Sequence, residues 1–361
     1  MNRDAVLVVG EDPEGYGGLA RIAGQQAQLL EELGWRVTRV TPRCLGRVWR
    51  SRRFPALNPF LMSVQLSRLA RRRSKGASLV LSHGMVSAWG AGAVRVHLYH
   101  GTTAGLARAC QGFLSPLEYA ILTRLCGGLE RRAGKSAACL AVSQGVVGEV
   151  ADYYRLPRPR VIYNAVDTQH FQPAPGLASA TADRPIVGLY LGRLDYGKGR
   201  ELLQGLGACL PAEFRLRLAV PQLAGRLDWD PGRLEFLGPV KYADLPRAYQ
   251  SADYVLCPSR YEGFGLTIAE AWACGRPVVT TDVGVVSELR REEPALDAMV
   301  LDEVDDAAGL ASRILRLNED RDLGRRQARW GREVVEERFS CQRMKAAYVS
   351  LLQDLGLPIV R

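Results

Sequence analysis

The chain has 361 residues, of which 47% are hydrophobic and 24% charged, which excludes a disordered or fibrous polypeptide and gives room for about two domains with separate cores. No apolar run approaches the ~18 residues of a membrane span, and the short run Ala5 to Val9 is followed by Glu11 and Asp12, so neither a span nor a signal peptide is expected. The net charge of +10 is uneven: Arg43, Arg47, Arg50, Arg52, Arg53, Arg68, Arg71, Arg72, Arg73 and Lys75 fall in one window, and no acid occurs from Leu33 to Leu117.

That window has only Trp49, Phe54 and Phe60 as interleaved aromatics, too few for a nucleic-acid platform. The eight cysteines are scattered, with no C-x-x-C pair or histidine spacing for zinc, which fits reduced thiols in the cytoplasm and no metal. In chain order, Ala5 to Val9 reads as a buried strand, Glu11 to Gly18 as a glycine-bearing loop, and Leu19 to Leu33 as an amphipathic helix stopped by Gly34. Arg36 to Val40 is the second strand. Asn58 as N-cap and Pro59 at the first position open a helix to about Arg73, with Met62, Leu66, Leu69 and Ala70 on one face and arginines crowding its end. Such a helix suits an anionic membrane face or an acidic acceptor, or is simply the surface of the first domain.

Leu79 to Ser82 is a strand ending at His83, and Val94 to Tyr99 another ending in His100-Gly101-Thr102-Thr103. A histidine at a strand's carboxyl end, followed by glycine, can face a ligand crevice and titrate near neutrality, or be a satisfied structural residue. His83 stays open between the two, and His97, inside its strand, reads as structural. Pro116 to Arg132 is expected as a helix, Ala138 to Val142 as a strand and Val146 to Tyr154 as a short helix; the Ala/Pro/Ser/Gly-rich 173–185 is expected as a linker.

The second half opens with the apolar strand Ile186 to Gly192 and the loop Gly192-Arg193-Leu194-Asp195-Tyr196-Gly197-Lys198-Gly199. This approaches the phosphate loop G-x-x-x-x-G-K-[ST], but Gly199 stands where the magnesium-binding hydroxyl is required. Arg215 to Val220 and Leu234 to Leu237 read as strands, Tyr242 to Gln250 as a helix, and Tyr254 to Cys257 as a buried strand ending at Pro258. A loop with Gly263 and Gly265 then opens a helix from Leu266 to Cys274, followed by a strand from Val278 to Thr281. Glu262 and Glu270, with seven residues between them, mark the carboxyl end of this unit, where a carboxylate can accept two sugar hydroxyls. A solvated acid and an ordinary helix-start acid are the plain alternatives. From Asp305 the chain reads as helices, with Trp330 and Phe339 as core residues and a last helix from Cys341 to Leu355.

Glu262-Gly263-Phe264-Gly265-Leu266, Ala269-Glu270-Ala271, Cys274 to Val279 and Gly284 to Glu288 resemble the donor-site signature of glycosyltransferase family 4. The resemblance implies an α/β GT-B fold, two Rossmann-like doubly wound domains facing across a cleft: 1–172 on the acceptor side, a 173–185 linker, 186–340 on the nucleotide-sugar side, and 341–361 packing back on the first. It implies retaining transfer of a sugar from a nucleotide-diphosphate sugar, with no cofactor and no metal. By the same resemblance Glu270 binds the ribose, Glu262 contacts the donor sugar, Arg193 and Lys198 bind the diphosphate, Gly17 and Gly18 lie near phosphates and acceptor, and His100 meets a sugar hydroxyl. Gly263, Phe264, Gly265 and Leu266 complete the donor-binding loop. Val161-Ile162-Tyr163-Asn164-Ala165-Val166-Asp167 resembles the family's inter-domain segment, with Ala165 in place of its glycine. The expected partners are a nucleotide sugar and a sugar-bearing acceptor, lipid-linked or anionic and serving cell-envelope polysaccharide, with peripheral contact to an anionic membrane. A small-molecule acceptor, a nucleotide-sugar epimerase and a silent sugar-binding protein would share the donor site.

Overall fold

The computed structural model describes residues 3–11, 17–46, 48–86, 93–174, 185–222 and 227–359. Arg47 and most of the expected linker, 175–184, lie outside them. The chain forms two compact units, residues 1–164 with 344–361, and residues 165–343. Residues 165–172, expected in the first domain, thus belong to the second. The Val166 amide donates to the carbonyl of Phe339 (2.8 Å), Val166 bridges Ser340, and buried Phe171 packs edge-on against Tyr249. The C-terminal residues belong to the first unit, where Gln26 donates to the Tyr348 hydroxyl (2.7 Å) and Arg160 pairs with Asp354 (2.7 Å).

In the first unit six strands, β1 (Asp4–Val8), β2 (Arg36–Val40), β3 (Leu79–His83), β4 (Val94–Tyr99), β5 (Ala138–Ala141) and β6 (Arg160–Val161), form one parallel sheet in the order 2-1-3-4-5-6. The apolar runs of β1 and β3 are buried throughout, as a sheet covered by helices on both faces requires. The connecting helices are α1 (Gly18–Glu32), α2 (Asn58–Arg73), α3 (Thr103–Ala109), α4 (Pro116–Ala120), α5 (Gly127–Gly134) and α6 (Gln144–Tyr154). Leu66 and Ala70 of α2 are fully buried against Val6, Val8 and Val80, with Met62 and Leu69 packed beside them. Asn58 does not cap α2: Leu57 holds that position, and the Asn58 side chain instead accepts the amide of Ser51 (2.7 Å). The helix expected from Pro116 to Arg132 is interrupted by a π-helical segment, Ile121–Cys126, joining α4 to α5.

The second unit contains β7 (Ile186–Leu191), β8 (Phe214–Ala219), β9 (Leu234–Phe236), β10 (Tyr254–Cys257), β11 (Val278–Thr281) and β12 (Val300–Leu301), also all parallel, in the order 12-11-10-7-8-9. The chain leaves β7 toward β8 on one side and β10 toward β11 on the other, so β7 and β10 flank the topological switch point, where open α/β sheets bind ligands at the carboxyl ends of their strands. The helices are α7 (Arg200–Cys209), α8 (Leu245–Gln250), α9 (Leu266–Ala273), α10 (Val286–Leu289), α11 (Pro294–Asp297), α12 (Ala307–Glu319) and α13 (Arg321–Arg338), with α14 (Cys341–Asp354) carrying the chain out of the unit. Trp272 of α9 is fully buried and meets Trp330 of α13 edge to face.

Candidate active site

Two loops meet at the switch point of the second unit. After β7, Gly192 takes φ 139°, Leu194 turns into the core, and Asp195 caps a tight turn by accepting the Lys198 amide (3.1 Å). The Tyr190 hydroxyl bonds the carbonyls of Arg193 and Lys198, holding the turn from below. Gly199 has φ 75°, and a Cβ there would overlap the carbonyl oxygen of Pro258, so only glycine lets the β7 and β10 loops approach this closely. The Arg260 amide donates to Gly197 O (3.0 Å), a second tie between the loops.

This geometry decides against the phosphate-loop reading. A phosphate loop aims successive free amides at its anion, but here the amides of Lys198, Gly199 and Arg200 are all spent inside the turn, on Asp195 and Tyr196. The side chain of Lys198 points to the β10 loop instead, with Nζ 2.5 Å from Glu262 Oε1. Glu262 also accepts the hydroxyl of Ser259 (2.8 Å), a partner the motif did not reveal. The Lys198 side chain is 27% exposed and that of Glu262 15%. Burial works against the Lys198 charge, but the adjacent Glu262 carboxylate outweighs it, and the ammonium is held above its ordinary pKa. Arg193 is 73% exposed, with Nε 3.4 Å from Asp195 Oδ2.

The Gly263-Phe264-Gly265 loop is anchored by Phe264, which is buried, lies edge-on to Phe339 (5.1 Å), and accepts the Val285 amide on its carbonyl (2.9 Å). A Cβ at Gly284 (φ 57°) would overlap that same carbonyl oxygen. Gly265, at φ 96°, opens α9, whose first amides, of Leu266 and Thr267, have no bonding partner among the described residues. Glu270 is 2% exposed and accepts the Tyr249 hydroxyl (2.7 Å). It is therefore a buried, hydrogen-bonded acid, not an ordinary helix-start residue. The second unit thus brings Lys198 and Glu262 together, sets Arg193 on the same loop, and holds Glu270 on α9.

In the first unit His100 follows β4, and its Nε2 lies 2.8 Å from Nδ1 of His83, the last residue of β3; the ring centroids are 5.0 Å apart and the planes 13° from parallel. His97 is buried in its strand, Nδ1 2.9 Å from the Ser82 hydroxyl, a structural histidine. The turn after His100 is held by two acids absent from the acid-free segment. Thr102 caps α3 and donates to Glu149 (2.6 Å), while Glu130 accepts the Thr103 amide (2.9 Å) and hydroxyl (3.1 Å) and the Tyr154 hydroxyl. Glu149 also occupies the space a Cβ on Gly105 would need, 2.6 Å from its carboxylate. Neither acid carried a local motif, because their partners lie 27 and 47 residues away. Burial and the neighbouring rings hold His83 well below the ordinary histidine value, and burial lowers His97 and His100 to about 3. Burial raises Glu130 to about 7, against the pull of the Tyr154 and Thr103 hydrogen bonds.

Gly18 is the first residue of α1 and Gly17 its N-cap, packed so closely on the Glu11 carboxylate that a Cβ would clash; residues 12–16 of that loop lie outside the described residues. Among the described residues no group of three His, Cys, Asp or Glu side chains is placed to hold a metal, and no helix is long and apolar enough to cross a membrane.

Residues 187–320 match the family model described as glycosyl transferases group 1, and residues 16–170 that of Glycosyltransferase Family 4. A 173-residue stretch is 34% identical to the lipopolysaccharide core biosynthesis mannosyltransferase LpsB of Rhizobium meliloti, covering 39% of this chain and 45% of that protein. A 146-residue stretch is 34% identical to the O-antigen chain mannosyltransferase B of Escherichia coli, covering 37% and 36%. The chain therefore spans less than half the length of these curated relatives. Among solved structures, sucrose-phosphate synthase from Thermosynechococcus elongatus superposes with a TM-score of 0.81 at 21% identity, covering 98% of this chain and 99% of that one. Anabaena HepE in complex with UDP-glucose gives 0.70 at 19% (97% and 99%), and WaaG, involved in lipopolysaccharide biosynthesis, 0.72 at 16% (95% and 98%). The fold is the GT-B fold of these glycosyltransferases.

Proposed function

Because this chain belongs to the glycosyltransferases of group 1 and family 4, we propose that it moves a sugar from a nucleotide-diphosphate sugar to an acceptor hydroxyl with retention of configuration. The observation that carries this reading is the Lys198–Glu262 pair at the switch point of the second unit. A diphosphate sugar needs a fixed cation at its leaving group and a carboxylate that accepts sugar hydroxyls, and here the two are 2.5 Å apart on adjoining loops. In this reading Lys198 and Arg193 neutralise the leaving diphosphate and supply the charge a metal ion would otherwise bring. Glu262 orients the donor sugar, Glu270 takes the ribose hydroxyls, and the Gly263–Leu266 loop with the first α9 amides receives the donor backbone. In the first unit His100 contributes a hydrogen bond to a sugar hydroxyl, and Gly17 and Gly18, at the start of α1, lie near the donor phosphates and the acceptor.

We further propose a cell-envelope acceptor that is anionic or lipid-linked. LpsB and O-antigen mannosyltransferase B support this by their names, and α2 with its preceding segment supports it by chemistry. Trp49 and Phe54 are 51% and 42% exposed, the Arg68 guanidinium lies over the Trp49 ring, and Arg71, Arg72 and Arg73 end the helix. Exposed aromatics interleaved with arginines suit peripheral contact with an anionic membrane surface, and in this reading the enzyme works at the cytoplasmic face of a membrane. The test is nucleotide release from a panel of UDP-, GDP-, ADP- and TDP-sugars, with the anomeric coupling of the product read by proton NMR. Release from one donor with the α configuration of an α-linked donor preserved is expected; an inverted product would overturn the retaining mechanism, and an epimerised nucleotide sugar would overturn transfer itself.

A further inference from the structure

The contact between His83 and His100 is unlike the other polar contacts of the first unit. It joins two imidazoles end to end, Nδ1 of one to Nε2 of the other at 2.8 Å, with the ring planes 13° apart. Of two neutral imidazoles, each has one N–H and one lone pair, so one ring must donate and the other accept. The remaining nitrogens decide which. Nε2 of His83 is buried and has no hydrogen-bond partner among the described residues, and His83 itself is 1% exposed. If His100 donated, the single proton of His83 would sit on that nitrogen, stranding a donor in the core. If His83 donates through Nδ1, its only N–H is satisfied, and the stranded atom is a lone pair, the more commonly tolerated orphan.

We propose that His83 is a positioning residue: its Nδ1–H donates to Nε2 of His100 and thereby fixes His100 as the tautomer with its proton on Nδ1. His100 is then presented as a hydrogen-bond donor at Nδ1, which has no partner among the described residues. The main chain around it is already immobilised. Gly101 takes φ 138°, Thr102 is tied to Glu149 and Thr103 to Glu130, so ring orientation and proton position are what remains for His83 to set. The low pKa values of His83 and His100 agree, because both rings must stay neutral for a single shared proton to define the pair. That His100 serves a sugar hydroxyl rests on the function proposed above; the tautomer assignment does not. A third group that orients an imidazole and fixes its tautomer is a known requirement where histidines act in catalysis.

The test is long-range nitrogen–proton correlation NMR of histidine-labelled full-length protein, wild type, His83→Asn and His83→Leu. The asparagine amide can replace the Nδ1 donor; leucine cannot. The wild type and His83→Asn are expected to show His100 protonated on Nδ1 alone, and His83→Leu a mixture of tautomers with the His97 signals unmoved. A wild-type His100 protonated on Nε2 overturns the proposal even if His83→Leu fails to fold, as does an unchanged tautomer in folded His83→Leu. With a donor in hand, His83→Leu should lower kcat at least about tenfold with donor KM little changed, and His83→Asn should restore most of it. Absence of turnover in the wild type would sink the transferase reading, while the NMR spectra would still decide the tautomer of His100.

Discussion

Replacing Glu262 with glutamine should lower stability and turnover while tightening nucleotide binding. The substitution keeps the shape and the Ser259 hydrogen bond while removing the charge 2.5 Å from Lys198. Two unit charges ~4 Å apart at an effective dielectric of ~20 attract by about 4 kcal/mol, before the cost of drying them. Lys198 keeps 27% of its side chain in solvent, so the discounted net loss of stability is about 1–2 kcal/mol, read as a shift in the urea midpoint at constant slope. The ammonium, freed from its carboxylate, is then available to a diphosphate alone. Binding of the nucleoside diphosphate by titration calorimetry should tighten about three- to tenfold, a gain of roughly 1 kcal/mol. Turnover of the nucleotide sugar should fall by about 10–100-fold, because the sugar hydroxyls lose a charged acceptor. Weaker nucleotide binding with turnover intact would show that Lys198 does not exchange Glu262 for a diphosphate, and the reasoning would fail.

Gly199→Ala forces a left-handed φ of 75° on alanine and drives its Cβ into the Pro258 carbonyl, and should cost about 2–3 kcal/mol, roughly 5–10 °C in thermal unfolding. Thr102→Val removes both the α3 cap and the bond to Glu149 and should cost about 1–2 kcal/mol by chemical denaturation. The first unit should also be acid-sensitive. His83, His97 and His100 are depressed below the ordinary 6.5, so their contribution is present above that value and is lost as pH falls toward 3, where the unfolded chain binds protons the folded one refuses. Glu130, raised to about 7, works the other way, its contribution present below its ordinary 4.5 and lost as pH rises through 7. Glu130→Gln should therefore steepen the loss of stability between pH 6.5 and 4.5 by about one proton, ~1.4 kcal/mol per pH unit; an unchanged slope in denaturation curves would refute the assignment.

The strands that matter to the site were legible because they are largely buried and read as short apolar runs bounded by glycine or proline, Gly192 after the strand from Ile186, Pro258 after that from Tyr254 and Pro277 before that from Val278. The two-residue strands β6 and β12 were not, since two residues carry no periodicity. The π segment after Ala120 escaped for a related reason: its apolar pattern still fits a helix, and only the hydrogen-bond ladder differs. Local spacing located Glu262 and Glu270 but not their partners, Ser259 and Tyr249 among them, because hydroxyl partners carry no spacing of their own. The same limit hid Glu130 and Glu149. The histidine loop itself lies in the acid-free stretch from Leu33 to Leu117, and parallel β4 and β5 return the chain to it and bring two acids to Thr102 and Thr103.

The central claim is that the loops after β7 and β10 hold a nucleotide-diphosphate sugar. It is tested most directly by comparing nucleotide release by the wild type and an Arg193→Ala, Lys198→Ala double variant with the donor the panel selects, at matched folded fraction. Release by the wild type that falls at least about a hundredfold in the double variant, two charged contacts at roughly 1.5–3 kcal/mol each, is the predicted result. Equal release by both proteins, or no binding of any donor by the wild type, would contradict it.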